Sequence, residues 1–240
     1  VSLLQEALGA GLAQNRARLF YLLSFIYDAP SILRACDNLS HASAEKRAYA
    51  LEVIDILISQ ELKGLLLPLL HDLPPSQCLQ SLRAFPQPKL DRHQRLQEII
   101  AGPDQQLSSW TRACALYAVG QLSATGLSET VVTALSAPDP LVRETAAWTL
   151  FKLDPAGYHS HISKLQHDPS PQVARLIRQL ETAREGGEAM LSTIEKVIIL
   201  KGVSIFAGTP DEILAEVAAL LEEIELKEGV ENMGAQMVRE

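Results

Sequence analysis

Apolar and small side chains recur every three or four residues between Val142 and Leu153. Because a helical turn takes 3.6 residues, this spacing lays them on one face of a helix. Pro138, Asp139 and Pro140 directly precede the pattern. Proline lacks the N–H that a helix interior needs, and an aspartate side chain accepts hydrogen bonds from the unpaired amides of a first turn. The pattern predicts an amphipathic helix that begins here and needs a neighbour against its apolar face.

The same pattern occurs a second time, 31 residues earlier in the chain, so that Arg143 aligns with Arg112. A third arginine, Arg47, lies 65 residues before Arg112, close to two further periods. Helix pairs of this length cannot bury their own apolar faces, so they stack on neighbouring pairs. The sequence therefore predicts an all-α fold, an α-solenoid of stacked helix pairs.

Glycine and proline interrupt the helical pattern in the first half of the chain. The Gly9-Ala10-Gly11 sequence predicts two separate helices, over residues 2–8 and 15–27. Pro68 lies inside the apolar stretch from Glu61 to Leu73 and predicts a kink or a break there. The proline-rich stretch from Pro74 to Pro88 is either a variant repeat or a loop.

The composition becomes acidic after Gly186 and Gly187. Residues 186–240 carry 11 acidic and 4 basic side chains, whereas the first 185 residues carry 18 and 17. The glycine pair and the change in charge predict a domain boundary, with a solenoid over residues 1–185 and an acidic helical segment over 186–240. Neither part is basic, which argues against nucleic acid as a partner.

The rest of the composition indicates a helical protein of a reducing compartment. Hydrophobic residues make up 47% of the chain and aromatic residues only 5%, which favours helices over a β-rich core. Cys36, Cys78 and Cys114 lie far apart and predict buried free thiols, which fits a cytoplasmic location. No apolar run is long enough to span a bilayer. The chain begins with Val1 and shows no signal peptide, which suggests a piece of a longer protein.

Residues 30–183 resemble HEAT repeats through an Asp-Pro-x-Val-Arg-x-x-Ala-x-x-x-Leu pattern. The matching positions are Asp139, Pro140, Val142, Arg143, Ala146 and Leu150. The resemblance implies an armadillo-like superhelix whose second helices line a concave face that binds a protein. It also implies that each repeat arginine pairs with the aspartate of a neighbouring repeat turn.

The segment from Met190 to Gly229 resembles the first part of cyclic-nucleotide-binding domains. The matching features are Leu200 with Phe206, a cap at residues 209–212, and a strand at residues 224–226 that leads to Gly229. The glycine-rich phosphate-binding segment of that family, with its glutamate and arginine, does not follow. The resemblance therefore implies an incomplete domain that binds no cyclic nucleotide.

The two resemblances occur in one order, HEAT-like repeats and then the cyclic-nucleotide-binding-like segment. This order is similar to the cytoplasmic regulatory part of bacterial proteins in which a module resembling nucleotide translocases precedes both. The resemblance implies a longer polypeptide that extends beyond both Val1 and Glu240.

Three groups of side chains are candidate binding sites. The first group is the three repeat arginines, Arg47, Arg112 and Arg143. They either form a ladder that binds an acidic partner or, as we favour, pair with the acidic side chains of neighbouring repeat turns. The second group is aromatic. Tyr117 and Trp148 lie one period apart. Together with Trp110 they either form an aromatic binding strip or, as we favour, pack between repeats. 

The third group is a histidine cluster, His159, His161 and His167, near Asp154 and Asp168. The first two histidines are two residues apart and point away from each other on a helix, so no metal site is expected. The charge run of Glu222, Glu223 and Glu225 is typical of a solvated helix face.

No motif of a catalytic nucleophile, a phosphate-binding loop or a zinc protease occurs in the chain. We therefore expect no enzyme activity, no catalytic residues, no cofactor and no metal. The leading hypothesis is a non-catalytic scaffold for a protein partner or for other domains of the same chain. One alternative is a HEAT-like phycobilin lyase that handles a chromophore, and another is a structural spacer.

Overall fold

The computed structural model describes residues 2–71, 73–82, 88–102, 107–162, 165–184 and 191–221. Within these ranges the chain is all α, with no strand, which confirms the predicted class. The helices are α1 (Ser2–Ser24), α2 (Ala29–Leu39), α3 (Ala44–Leu57), α4 (Gln60–Leu70), α5 (Pro75–Ser81), α6 (Arg92–Ala101), α7 (Ser109–Gln121), α8 (Ser128–Ala134), α9 (Pro140–Leu153), α10 (Tyr158–Ile162), α11 (Pro171–Arg184), α12 (Thr193–Lys201) and α13 (Asp211–Leu220). None of the described helices combines the length and the apolarity needed to cross a bilayer.

The chain divides into two compact units, residues 1–95 and residues 96–240. Helices α12 and α13 belong to the second unit, where they contact α7 and α9. The boundary predicted at residue 186 lies outside the described residues and stays a prediction. The solenoid arrangement stays a prediction as well.

In the first unit, α1 is one helix through Gly9 and Gly11, so the predicted interruption is wrong. A glycine inside a helix costs only about 1 kcal/mol relative to alanine. Both ends of α1 bury apolar side chains, among them Ala7 and Phe20. The unit's core consists of Phe20, Leu23, Ile32, Ala35, Leu39, Ala50, Ile54, Ile58, Leu66 and Leu70.

Pro68 does not break α4, which runs from Gln60 to Leu70. A proline removes one backbone N–H, and Pro68 lies only two residues before the end of the helix. Its carbonyl oxygen accepts a hydrogen bond from the Cys78 thiol at 3.4 Å, in the region of α5. The first half of the Pro74–Pro88 stretch therefore contains a short helix, while residues 83–87 lie outside the described residues.

In the second unit, α9 contacts α7, α8, α10, α11 and α12. The predicted start of α9 is confirmed, since Asp139 Oδ1 accepts from the backbone N–H of Leu141 at 2.8 Å. Helices α7, α9 and α11 begin at residues 109, 140 and 171, so their starts repeat the 31-residue period of the sequence. The period of the sequence therefore corresponds to the spacing of α7, α9 and α11.

Helices α7 and α9 approach closely at Gly120. A Cβ atom at this position would lie 2.7 Å from Cζ3 of Trp148. The Thr149 hydroxyl donates a hydrogen bond to the Leu116 carbonyl oxygen at 2.9 Å across the same pair of helices. A side chain at residue 120 therefore has no room unless the Trp148 ring moves.

We predict opposite effects for two glycine-to-alanine substitutions. Gly120→Ala gains about 1 kcal/mol of helix propensity, but overpacking a filled core costs about 1–3 kcal/mol. We expect a net loss and a lower Tm. Gly64→Ala in α4 is the matched control, because a Cβ there meets nothing within 4 Å; we expect a gain of about 0.5–1 kcal/mol. Thermal unfolding followed by circular dichroism measures both, and an equal rise in Tm would contradict the close approach.

Candidate interaction surface

The guanidinium group of Arg143 bonds to two turns, the one before α9 and the one before α11. Its Nε and Nη2 atoms donate to the two carboxylate oxygens of Asp168, each at 2.8 Å. Its Nη1 atom donates to the carbonyl oxygens of Ala137 and Pro138 at 2.9 and 2.7 Å. Asp168 lies in the turn before α11, and the hydrogen bond from Arg143 lowers the pKa of its carboxyl group. The favoured ion pair with a neighbouring turn is therefore confirmed for Arg143.

The other two arginines of the ladder bond to backbone carbonyls. Arg47 Nη1 donates to His41 and Ala42 at 3.0 and 2.7 Å, the same offsets of six and five residues that Arg143 uses. Arg112 is buried, and its Nε atom donates to the Ile100 carbonyl oxygen at 3.0 Å. All three guanidinium groups thus hold neighbouring backbone.

The favoured packing role of the aromatic pair is also confirmed. The rings of Tyr117 and Trp148 stack at a centroid distance of 4.8 Å and an interplanar angle of 26°. The Lys152 ammonium lies 5.5 Å from the Trp148 ring. Trp110 is buried elsewhere, and its Nε1–H donates to no acceptor among the described residues. Its surroundings form part of the surface described below.

The histidines do not converge. His161 and His167 are exposed, while His159 is partly buried beside the Tyr158 ring. Asp168 is bound to Arg143. In the described part of the chain, no group of three His, Cys, Asp or Glu side chains is placed to hold a metal ion.

The cysteines are free thiols. Cys114 is buried, and Cys36 and Cys78 are partly buried. 

Glu144 is a buried acidic side chain that the sequence analysis did not single out. Only 4% of it is exposed. Its Oε1 atom accepts from the backbone N–H and the hydroxyl of Thr193, at 3.0 and 2.9 Å, and its Oε2 atom accepts from the Gln172 amide. Burial raises the pKa of Glu144, while these hydrogen bonds and the charge of Lys196 act in the opposite direction. The carboxyl group therefore joins α9 to α11 and to the start of α12.

The start of α12 had a sequence signal. Ser192 and Glu195 form a capping box, in which each side chain bonds to the backbone N–H of the other residue. A serine followed three residues later by a glutamate is the usual signature of this motif. Glu144 had no such signal, because a glutamate beside Arg143 on an amphipathic helix is typical of the exposed face.

Two cations fix the C-terminal end of α13. Lys196 Nζ donates to the Leu221 carbonyl oxygen at 2.9 Å. Arg175 Nη1 lies within hydrogen-bond distance of the Ala219 and Leu221 carbonyl oxygens. Positive charge at a helix C-terminus also opposes the negative end of the helix dipole. Helices α12 and α13 are thereby held against α9 and α11 in a defined orientation.

Helix α13 exposes an apolar stripe, which consists of Ile213, Val217 and Leu220. These side chains are 49%, 36% and 81% exposed. Their spacing of four and three residues places them on one face of the helix. The opposite face buries Leu214 and Ala218. The α13 stripe is therefore an apolar surface on a helix that is already packed.

A cleft of about 340 Å³ lies on the neighbouring side of α13. This α13 cleft is lined by Ser108, Ser109, Trp110, Asp139, Pro140, Leu141, Gln172, Glu212, Ala215, Glu216 and Ala219. Helix geometry, at about 100° per residue, puts Glu212 and Glu216 between the cleft and the stripe. The cleft and the stripe therefore form one continuous surface, partly apolar and partly acidic.

The first unit has an exposed apolar surface of its own at the end of α1. Its members are Tyr21, Leu22, Phe25 and Ile26, with exposed fractions from 62% to 85%. 

The described residues thus define a class: an all-α protein of packed helices with exposed apolar surfaces. No family model matches the chain, and neither a curated protein nor a solved structure matches it. A function for this chain is therefore inferred from its exposed surfaces.

We predict that Arg143→Ala lowers the free energy of unfolding by about 1–3 kcal/mol, because Asp168 and two carbonyl groups lose a donor. Arg143→Lys should lose less, since it keeps the charge but not the two-point contact. The pKa of Asp168 is lowered in the folded state, so its carboxylate stabilises the fold at pH values above the unfolded-state pKa. This contribution is lost as the pH falls through the folded-state pKa. Urea unfolding at pH 7 and pH 3.5 should therefore show a smaller difference at the lower pH. An equal difference at both values would contradict the pairing.

For Glu144→Ala we expect a loss of about 2–4 kcal/mol, because the buried N–H and hydroxyl of Thr193 lose their acceptor. Glu144→Gln is the milder variant, since it keeps one acceptor oxygen. Urea unfolding at pH 7 measures both losses.

The pH dependence tests the charge of Glu144. Its pKa is raised in the folded state, so the ionised form costs stability, and this cost appears as the pH rises above the ordinary value of 4.5. The stability of the wild type minus that of Glu144→Gln should therefore fall between pH 4.5 and 7.5. A difference that grows with pH would mean that the folded protein favours the carboxylate.

Proposed function

We propose that this chain is a non-catalytic interaction scaffold whose second unit binds a protein partner through the α13 stripe. The partner is a separate protein or another part of the same longer polypeptide. The exposure of three apolar side chains on one face of an anchored helix carries the proposal. Contiguous apolar surface of this kind is typical of protein interaction sites.

The anchoring of α13 supports binding over simple exposure. Glu144 holds the start of α12, and Lys196 and Arg175 hold the end of α13. A surface that is already in its binding conformation loses little conformational entropy when a partner arrives. The partner therefore binds a preformed surface that consists of the α13 stripe and the α13 cleft.

The stripe alone is too small for stable binding. Full burial of a side chain of this size contributes about 1.5–3 kcal/mol, and Ile213 and Val217 are already half buried or more. Association costs at least about 4 kcal/mol. The partner must therefore contact surface beyond the stripe, and the adjoining α13 cleft is the nearest candidate.

The proposal includes a HEAT-like stack of helix pairs as the scaffold. The 31-residue spacing of α7, α9 and α11 supports it, as does the pairing of Arg143 with the turn before the next repeat helix. In such a stack each pair contacts its neighbours, so a partner bound at one end can act on the rest of the chain. A regulatory or coupling role follows from that property.

We predict that a photo-crosslinking amino acid at Leu220 captures a discrete partner in cells that express the full chain. Glu129 is the control position, because it is also exposed but lies on α8, where it lines a different cleft. Adding Val217→Asp should abolish the crosslink, because it places a charge in the middle of the stripe, and the circular dichroism spectrum checks that the helix content is retained. Gel analysis and mass spectrometry provide the measurement. Equal products at both positions, or no product at Leu220, would contradict the proposal.

A further inference from the structure

We infer that the α13 surface binds a cationic amphipathic helix, whose apolar face covers the stripe and whose lysine or arginine side chain enters the cleft. This inference rests on the proposed function and names the chemistry of the partner. A helix that lies along a groove typically presents apolar side chains at intervals of three and four residues. The α13 stripe, at residues 213, 217 and 220, is a ridge along a helix, and a ridge of this kind packs into the groove between side chains of a second helix.

The boundary between stripe and cleft is acidic. Glu212 and Glu216 are both exposed and both line the cleft. They lie one helical turn apart and directly precede Ile213 and Val217 in the chain. A partner helix on the stripe therefore brings the side chains at one edge of its apolar face beside these two carboxylates.

The other charges around α13 leave this excess of negative charge in place. Lys201 is paired with Asp211. Arg175 and Lys196 lie at the C-terminal end of α13, where the carbonyl oxygens and the negative end of the helix dipole offset part of their charge. Asp139 adds a third carboxylate to the cleft, although its Oδ1 atom already accepts from the start of α9.

The starts of α7, α9, α11 and α13 all line the cleft and offset part of the negative charge. Each helix N-terminus contributes about half a positive charge, so the four together remain below the charge of the three carboxylates. The next residues of the chain, 222–240, carry six acidic and two basic side chains. Charge complementarity therefore favours a cationic partner over an anionic one.

The walls of the cleft suit a long basic side chain. Pro140, Leu141, Ala215 and Ala219 contribute apolar surface to the cleft. Lysine and arginine bury their alkyl stems against such surface while the charged group reaches a carboxylate. 

The indole ring of Trp110 also lines the cleft. Its side chain is only 3% exposed, and its Nε1–H has no acceptor in the described part of the chain. An unpaired buried donor costs free energy. Because this nitrogen is itself buried, Trp110 contributes to the wall of the cleft through the apolar surface of its ring.

Fluorescence anisotropy with the full chain and three labelled 18-residue peptides tests the inference. The first is a helix with leucines on one face and lysines beside them, the second replaces each lysine with glutamate, and the third scrambles the first. We expect only the first to bind, and its affinity should fall as salt rises. Val217→Asp should abolish that binding.

The charge contribution has its own variant pair. Glu212→Gln with Glu216→Gln should weaken binding several-fold, up to about tenfold, as expected for two exposed ion pairs. The control, Glu45→Gln with Glu129→Gln, removes the same charge at exposed positions outside the surface and should leave affinity unchanged. Both double variants keep the apolar stripe intact.

The outcomes separate the inference from the proposed function. Equal binding of the lysine and glutamate peptides, or no effect of the Glu212 and Glu216 variant, would overturn the cationic partner while a Val217-dependent interaction remained. Equal binding of the scrambled peptide would show charge attraction without a docked helix and would overturn the inference. Binding of none of the three would overturn it too, and the crosslink at Leu220 would still decide the proposed function.

Discussion

The position of α12 and α13 depends on one carboxyl group that is removed from water. Burial of Glu144 is unfavourable for its charged form, and only donors from other helices offset that cost. Gln172 of α11 and Thr193 of α12 provide them. A network of this kind is stable only when every member is satisfied. The structure therefore ties three helices to one another at a single point, and α13 follows α12 into place.

Side-chain bonds to turns and helix ends recur throughout the second unit. Arg143 joins two turns through Asp168, and Lys196 bonds to the carbonyl oxygen of Leu221, which directly follows α13. Apolar packing alone tolerates small rotations of a helix, whereas a hydrogen bond is directional. The close approach at Gly120 brings α7 and α9 together, and the polar contacts then select the orientation of the helices around them.

That orientation decides which face of α13 meets solvent. Leu214 and Ala218 are turned inward, so Ile213, Val217 and Leu220 remain outside, next to Glu212 and Glu216. An apolar row beside an acidic row restricts how a partner can bind, because the partner must place its apolar side chains on the first row and its basic side chains on the second. The functional proposal rests on this arrangement, which no single residue would suggest.

The sequence alone determined what neighbouring residues control: the all-α class, the start of α9 at Asp139 and Pro140, and the 31-residue spacing between the starts of α7, α9 and α11. It also indicated that Arg143 pairs with a neighbouring turn. The continuity of α1, the burial of Glu144 and the exposed face of α13 were decided by the tertiary structure. Periodicity reports contacts within one helix, whereas the partners of Glu144 lie 28 and 49 residues away. Helix α13 is apolar on more than one side, so only packing against α7 and α12 selects the side that is buried.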